Sequence, residues 1–199
     1  MSVLLIAGSP TEHSRSATLL DGVAQRLHAA VDDRRLRVDR LRIRDLSPQA
    51  LLLADWAHPS VVRAIEQVAF ARALVVATPV YKAAYSGVLK VFLDLLPQTA
   101  LKGKVVLPIA TGGSNAHMLA VDYALKPVLA SLKAQEMLQG VFAEDKQIAY
   151  RAEGVDLDPV LAERLDSSLD HFFTALARRP KPLAPHELND RLVNARWSI

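Results

Sequence analysis

Short apolar runs alternate with longer segments of helical period along most of this chain, and this order constrains the fold more than any other feature. The pattern predicts strands at Val3–Ala7, Leu36–Ile43, Leu74–Ala77, Val105–Ala110 and Met137–Phe142. It predicts helices at Ala17–Ala30, Pro59–Ala71, Ser86–Leu95, Ala116–Lys133 and Pro159–Arg178. Strands that alternate with helices form a parallel sheet with helices on both faces. The sequence therefore predicts a doubly wound α/β fold.

The polarity of the individual strands predicts their order in the sheet. The second strand carries charges along its length, which suits an edge, whereas the first, third and fourth are continuous apolar runs that suit burial on both faces. These properties fit the flavodoxin-like order 2-1-3-4-5, which has a topological switch point between the first and third strands. The loops that follow strands one, three and four then converge on one crevice.

The length of the chain, 199 residues, fits a single domain. We expect residues 1–178 to form this domain and residues 179–199, which are rich in proline and charge, to form a C-terminal arm. No apolar run approaches the roughly 18 residues that span a bilayer, and the start of the chain lacks the basic region of a signal peptide. We therefore expect a cytoplasmic protein without membrane contact.

Composition narrows the chemistry. The chain has no cysteine, which excludes disulfides, thiolate nucleophiles and iron–sulfur ligation, so a bound cofactor would have to carry any electrons. The net charge of +3 is small, and the arginines around the second strand alternate with aspartates. This mixture is typical of a solvated edge strand rather than of a nucleic-acid surface. We expect no nucleic-acid partner.

The first converging loop reads GSPTEHSRS and joins a buried strand to a helix. Such a junction directs several backbone N–H groups at one point, where the helix N-terminus favours an anion. The hydroxyls of Ser9, Ser14 and Ser16 and the guanidinium of Arg15 add donors that suit phosphate oxygens. The loop predicts a phosphate monoester site, although Ser14 or Ser16 could simply cap the helix.

The second loop, TPVYKAAYSG, has the features of a site for a planar ligand. Pro79 fixes its own φ and has no N–H, while the N–H groups of Val80, Tyr81 and Lys82 are free to meet the edge of a ring. A flat heteroaromatic group would fit there. The alternative is a surface turn with incidental tyrosines.

In the third loop, TGGSNAH, Gly112 and Gly113 follow Thr111 and remove two side chains where the fourth strand ends. Backbone can then approach a ligand plane closely, unless the two glycines are ordinary turn residues. His117 could donate a hydrogen bond to the ligand or to a pyridine nucleotide, or it could merely open the next helix.

Motifs for other chemistries do not occur. The chain has no GxxxxGK[ST], and neither the first nor the third loop reads GxGxxG, so neither a Walker-type site nor a Rossmann dinucleotide site is expected. The six histidines include no HExxH pattern, and we expect no metal centre.

Longer blocks around these loops resemble one family, the NADPH-dependent FMN reductases. The blocks are GSP…SRS, TPVYKAAYSGxLK, and KVVLPIATGG followed by AHMLAVDYALKPVLASLKAQE. The resemblance covers Val3 to about Asp145, and it is strongest to the flavin reductases of two-component alkanesulfonate monooxygenase systems. It implies FMN and NADPH as cofactors and an FMNH2-dependent monooxygenase as partner.

The resemblance also implies roles for the loop residues. Ser9, Ser14, Arg15 and Ser16 would surround the FMN phosphate. The isoalloxazine ring would be lined by Pro79, Val80, Tyr81, Lys82, Thr111, Gly112 and Gly113. A hydride would pass from the nicotinamide to the flavin, and no side chain would need to act as an acid or base.

Pro127 lies inside the predicted helix Ala116–Lys133, where its ring presses on the carbonyl four residues earlier, that of Tyr123. The helix must kink there, or one inserted residue must form a π-turn that re-aims Tyr123. The resemblance favours the π-turn, because the family has a π-helix at this tyrosine, at a subunit interface and linked to release of reduced flavin. We therefore expect a homo-oligomer, specifically a tetramer, formed through this helix and Ser86–Leu95.

Two other functions on the same fold remain open. One is a flavodoxin-type electron carrier that retains its FMN, and the other is a quinone or azo-dye reductase. Carriers usually present an acidic face, and this slightly basic chain fits that class less well.

Overall fold

The computed structural model describes residues 2–30, 36–151 and 154–178. The strands in these ranges are β1 (Ser2–Ala7), β2 (Arg37–Arg42), β3 (Ala73–Tyr81), β4 (Ala84–Tyr85), β5 (Val105–Gly112), β6 (Glu136–Met137), β7 (Val141–Glu144), β8 (Ile148–Arg151) and β9 (Gly154–Leu157). The α-helices are α1 (Arg15–Ala30), α2 (Pro48–Leu52), α3 (Pro59–Phe70), α4 (Gly87–Asp94), α5 (Lys126–Ser131) and α6 (Pro159–Arg178). The expected C-terminal arm, residues 179–199, lies outside the described residues.

The central sheet has the order β2-β1-β3-β5, and β6 and β7 pair in turn with the far side of β5. All of these pairings are parallel, while β4 turns back antiparallel on β3. Since β6 and β7 together occupy the fifth position, the predicted order 2-1-3-4-5 is confirmed. The α/β, flavodoxin-like fold class is confirmed with it.

Two hydrophobic cores cover the faces of this sheet. Because successive strand residues point to opposite faces, Val3 and Leu5 of β1 pack against α1 and α6, while Leu4 and Ile6 pack against the other helices. All of β1 and β5 and most of β3 are buried on both faces, whereas β2 at the edge is largely exposed. The continuous apolar runs of the sequence reflect this double burial.

The fifth strand is interrupted, which the sequence did not predict. Pairing of β3 with β5 runs unbroken across Pro108, so the N–H that proline lacks faces the other neighbour. On that side β6 pairs with Val105 and Val106, β7 pairs from Ile109 onward, and the intervening segment leaves the sheet. The single strand predicted at Met137–Phe142 was therefore wrong, because one missing donor divides it.

The prediction of one continuous helix at Ala116–Lys133 was wrong. The segment contains a 3₁₀ turn at Asn115–His117, a π-helix at Val121–Leu125 and then α5. The sequence also missed α2 and the antiparallel β8–β9 hairpin, which packs on α1. No helix within the described ranges is long and apolar enough to cross a bilayer.

Candidate active site

The loops after β1, β3 and β5 meet at the carboxyl edge of the sheet. Ala7 at the end of β1 lies opposite Ala77 of β3, and Pro79 of β3 lies opposite Thr111 of β5. The three strands are immediate neighbours, so their carboxyl ends lie side by side. The sheet thus brings together the three loops that the sequence singled out.

Hydrogen bonds fix the first loop to the second. Gly8 N–H donates to the Ala77 carbonyl oxygen at 2.7 Å, and the Ser86 hydroxyl donates to the Gly8 carbonyl. Ser86 N–H in turn donates to Thr78 Oγ1 at 3.0 Å. A Cβ at Gly8 would lie 3.0 Å from the Ala77 carbonyl oxygen and 3.1 Å from Leu89 Cβ, so the close approach requires glycine here. Thr78 and Ser86 are fully buried, so water does not compete for the hydrogen bonds at this corner.

The first loop contains the helix cap that the sequence offered as one of two alternatives, and its hydroxyls lie close together in pairs. Ser14 precedes α1 and its hydroxyl accepts a hydrogen bond from Ala17 N–H at 3.1 Å, so it caps the helix. The same hydroxyl lies 3.2 Å from that of Ser16, while Ser9 pairs with the Thr11 hydroxyl at 3.1 Å. Helix α1 begins at Arg15 rather than at Ala17, which brings its N-terminus to the loop.

Around this loop, Arg15 is a cation that no carboxylate in the described part of the chain neutralises. Arg15 is exposed and forms no ion pair with any residue in the described part of the chain. The carboxylate of Glu12 lies 3.7 Å from Arg44. The N–H groups of the first turn of α1 have no helical acceptor, and the helix dipole adds positive potential beside Arg15. This donor set suits a phosphate group.

The second loop is a tight β-hairpin rather than an open loop. Val80 pairs with Tyr85 and Tyr81 with Ala84, which leaves Lys82 and Ala83 as a two-residue turn. Both turn residues have positive φ, 49° and 63°. A turn of this kind normally contains glycine, because other residues in this region cost about 1–2 kcal/mol each. Because the turn contains no glycine, the sequence did not predict the hairpin.

In the third loop, Thr111 and Gly112 are the last residues of β5, and Gly113 follows them. A Cβ at Gly112 would lie 3.2 Å from Phe142 Cζ, whereas a Cβ at Gly113 would meet no atom within 4 Å. Gly112 is therefore needed for packing, and Gly113 faces open space. His117 ends the exposed 3₁₀ turn that follows.

The π-helix lies next to these loops and presents Tyr123 to solvent. Tyr123 is 79% exposed, and Met118 and Leu119 beside it are 52% and 54% exposed. Lys126 N–H donates to the Val121 carbonyl, five residues earlier, which is the π-helical pattern. Pro127 lacks the N–H that would otherwise reach the Tyr123 carbonyl. The π-turn predicted from Pro127 is present at this position.

Helix α4 starts directly after the hairpin, and its residue Lys90 interacts with the phenol of Tyr85 in the hairpin. Burial raises the pKa of Tyr85, opposed by the charge of Lys90, so this phenol stays neutral at physiological pH. Lys90 pairs with Asp94 at 2.6 Å, and that hydrogen bond raises the pKa of the lysine. Both groups therefore keep their protons at physiological pH.

Sequence reasoning missed Ser86 and Phe142 as residues that shape this region. Ser86 was assigned to the first turn of a helix, but it is the N-cap of α4, and its hydroxyl also accepts from Leu89 N–H at 3.3 Å. The order Ser-Gly-Val-Leu after a loop was a usable capping signal. No feature of the sequence indicated the role of Phe142, because its contact with the third loop depends on the pairing of β7 with β5.

Comparison with known proteins matches this geometry to one family. The model of the NADPH-dependent FMN reductases matches residues 1–149. The chain belongs to this family. It is 55% identical to an FMN reductase (NADPH) of Pseudomonas putida over 202 residues, covering all of both chains. It is 50% identical to the FMN reductase (NADPH) of Escherichia coli K12, covering 90% of this chain and 92% of that protein.

A solved structure agrees with the sequence relatives. The apo form of an NADH:FMN oxidoreductase, EMOB, superposes with a TM-score of 0.80 at 37% identity, covering 94% of this chain and 92% of that one. As an FMN reductase, this protein is an oxidoreductase that uses FMN and NADPH.

Proposed function

We propose that FMN binds in the crevice at the ends of β1, β3 and β5, is reduced there by NAD(P)H, and leaves to supply a partner monooxygenase. The partner would act on alkanesulfonates during sulfur acquisition, and the reaction would take place in the cytoplasm. The observation that carries this proposal is the corner formed by Gly8, Thr78 and Ser86. Its hydrogen bonds tie the loop assigned to the phosphate to the loop assigned to the ring, which supports the binding of both parts of FMN at one place.

The phosphate of FMN is assigned to the first loop. Arg15 offers a guanidinium with no competing carboxylate among the described residues, and the first turn of α1 offers N–H groups. The hydroxyls of Ser14 and Ser16 bond each other, the Ser9 hydroxyl bonds that of Thr11, and rotation of these hydroxyls would let them donate to phosphate oxygens. The residues present therefore fit a phosphate monoester.

The isoalloxazine ring is assigned to the second and third loops. Pro79 and Thr111 are paired across β3 and β5, so the backbone that follows each of them borders the same space. Val80, Tyr81 and Lys82 would meet one edge of the ring, while Gly112 and Gly113 leave room for its plane. The strained turn at Lys82 and Ala83 fits this role, because backbone strain concentrates at binding sites.

FMN supplies the hydride-accepting chemistry when it is bound. The chain itself would stack, orient and exclude water, and would hold the nicotinamide within a near-attack distance of about 3 to 3.5 Å. We assign no side chain as an acid or base, because the hydride passes directly from the nicotinamide to the flavin.

Release of reduced FMN and assembly are assigned to the π-helix. Tyr123, Met118 and Leu119 form an exposed apolar surface beside the third loop. Surfaces of this kind are often covered in an oligomer. We propose a homotetramer in which a second copy covers this surface together with α4. Light scattering across a wide concentration range tests the assembly, and a single monomeric mass would rule it out.

The function itself is tested by mixing the purified protein with NADPH and a tenfold molar excess of FMN without oxygen. We expect oxidation of NADPH in proportion to the total FMN, far beyond one equivalent per protein. An electron carrier with retained FMN would stop at or below one equivalent, and a quinone reductase would turn over quinone faster than FMN. Sulfite release in a coupled assay with an FMNH2-dependent alkanesulfonate monooxygenase tests the partner.

A further inference from the structure

Gly140 lies in the break between β6 and β7, and its missing side chain makes room for another residue. A Cβ at Gly140 would lie 2.2 Å from Val121 Cγ1, 3.4 Å from Val121 Cβ and 3.4 Å from the Pro108 carbonyl oxygen. Its φ lies outside the left-handed region. Space, rather than backbone conformation, therefore requires glycine at this position.

Val121 cannot easily move out of the way. It is the first residue of the π-helix and is only 2% exposed. A valine in a helix has one strongly preferred rotamer, and its own Cβ is already close to the added atom. An ordinary carbon–carbon contact needs about 3.5 Å, so a methyl group on Gly140 would displace the start of the π-helix by about 1 Å.

Val121 belongs to a small cluster separate from the two large cores. The buried members are Ala110, Val121 and Phe142, and Val80 packs against them. Val80 belongs to the hairpin of the second loop, and the Phe142 ring closes on Gly112 of the third loop. We name these four residues the site cluster. Through it, the π-helix packs against both loops assigned to the flavin ring.

We propose that Gly140 is a positioning residue for FMN binding, because it provides the space that seats Val121 and thereby places the π-helix and the site cluster against the ring-binding loops. The proposal rests on the assignment of FMN to this crevice. Gly140 itself touches neither ring nor phosphate in this scheme. It acts through Val121.

The test is a double-mutant cycle with Gly140→Ala, Val121→Ala and the two combined. Affinity is measured by quenching of FMN fluorescence, together with KM for FMN, kcat and the midpoint of urea unfolding. Val61→Ala is the matched control, since Val61 is also buried but lies on α3 in one of the two large cores, which does not include the site cluster. It reports the effect of losing the same side chain away from the site cluster.

We expect Gly140→Ala to raise Kd and KM for FMN at least fivefold while kcat at saturating FMN changes less than twofold. Val121→Ala alone should raise Kd for FMN about threefold, because it leaves a cavity between the π-helix and Gly140. The double variant should return within twofold of the wild type, since the added methyl fills the space that valine vacated. Val61→Ala should lower the unfolding midpoint and leave Kd unchanged.

Two results would overturn the proposal. One is a folded Gly140→Ala variant with wild-type Kd, and the other is a weakened variant that Val121→Ala does not rescue. If Gly140→Ala fails to fold, the comparison of Val121→Ala with the double variant decides: equal Kd values reject the proposal, and recovery supports it. A wild-type protein that fails to bind FMN would instead reject the proposed function, and Gly140 would lose its role with it.

Discussion

The Ser86 hydroxyl donates a hydrogen bond to the carbonyl of Gly8, and this contact joins two loops separated by 78 positions in the chain. The same hydroxyl caps α4 by accepting from Leu89 N–H. One side chain therefore sets both the start of a helix and the distance between the loop assigned to phosphate and the loop assigned to the ring.

Replacement of the Ser86 hydroxyl tests whether this contact links the start of α4 to FMN binding. Ser86→Ala should lower the free energy of unfolding by about 2 kcal/mol, since a cap and a buried hydrogen bond are both lost. It should also raise Kd for FMN roughly tenfold. Urea unfolding and fluorescence titration measure the two effects. Ser47→Ala is the control, because Ser47 caps α2 through Ala50 N–H at 3.3 Å and bonds no site loop. An equal loss of FMN affinity in both variants would refute the coupling.

The role of Arg15 is tested by comparing two flavins. Arg15→Gln removes the cation from the first loop, so FMN affinity should fall about tenfold, whereas riboflavin, which has no phosphate, should bind as before. Raising the salt concentration should reduce the difference in FMN affinity between the wild type and the variant, because salt screens the charge of Arg15. Arg63→Gln, an exposed arginine on α3, serves as the control. Equal losses for both flavins would show that Arg15 does not contact the phosphate.

Tyr123 is expected to govern how readily flavin leaves. Tyr123→Ala should retain flavin through purification, so that the protein is yellow and absorbs near 450 nm, whereas the wild type should be isolated without flavin. Tyr150→Ala is the control, since Tyr150 is 71% exposed on β8, away from the π-helix. A colourless Tyr123→Ala protein with unchanged FMN reduction would contradict this role.

Lys104 gives a prediction about stability and pH. Its ammonium donates to the carbonyls of Ala69 at 2.9 Å and Ala71 at 2.5 Å, at the C-terminal end of α3. Burial lowers the pKa of Lys104 below its ordinary 10.5. Between the lowered value and 10.5 the unfolded chain binds more protons than the folded one, so the Lys104 contribution to stability rises with pH there.

Comparison with Lys104→Met isolates this contribution. The difference in unfolding free energy, wild type minus variant, should increase as pH rises toward 10.5 and stay flat at lower pH. Denaturant unfolding in a series of buffers measures it. Lys102→Met, at an exposed neighbouring lysine, should give no such slope. A difference that stays flat up to pH 10.5 and falls above it would show that the ammonium is stabilised, not penalised, by its surroundings.

Some parts of the site could be read from the sequence because they depend on local chemistry. Pro127 removes a donor and crowds the Tyr123 carbonyl wherever the helix lies, so a kink or a π-turn could be anticipated there, and the family resemblance favoured the π-turn that the structure contains. The polar second strand could be placed at an edge for a similar reason. Other features depend on neighbours. The missing donor of Pro108 matters only because a fifth strand lies on that side of β5, and the sequence does not say which side that is.

The alternation of apolar runs and helical periods by itself determined the doubly wound sheet, its strand order and the three loops that meet at its edge, because burial on both faces demands apolar residues at every position of a strand. The tertiary structure alone decided how those loops are held. The Gly8–Ser86 hydrogen bond and the packing of Val121 against Gly140 join residues that are far apart in the chain. The turn at Lys82 and Ala83 has positive φ angles without the glycine that such turns usually contain. Such contacts are set by packing distances, which a one-dimensional pattern does not contain.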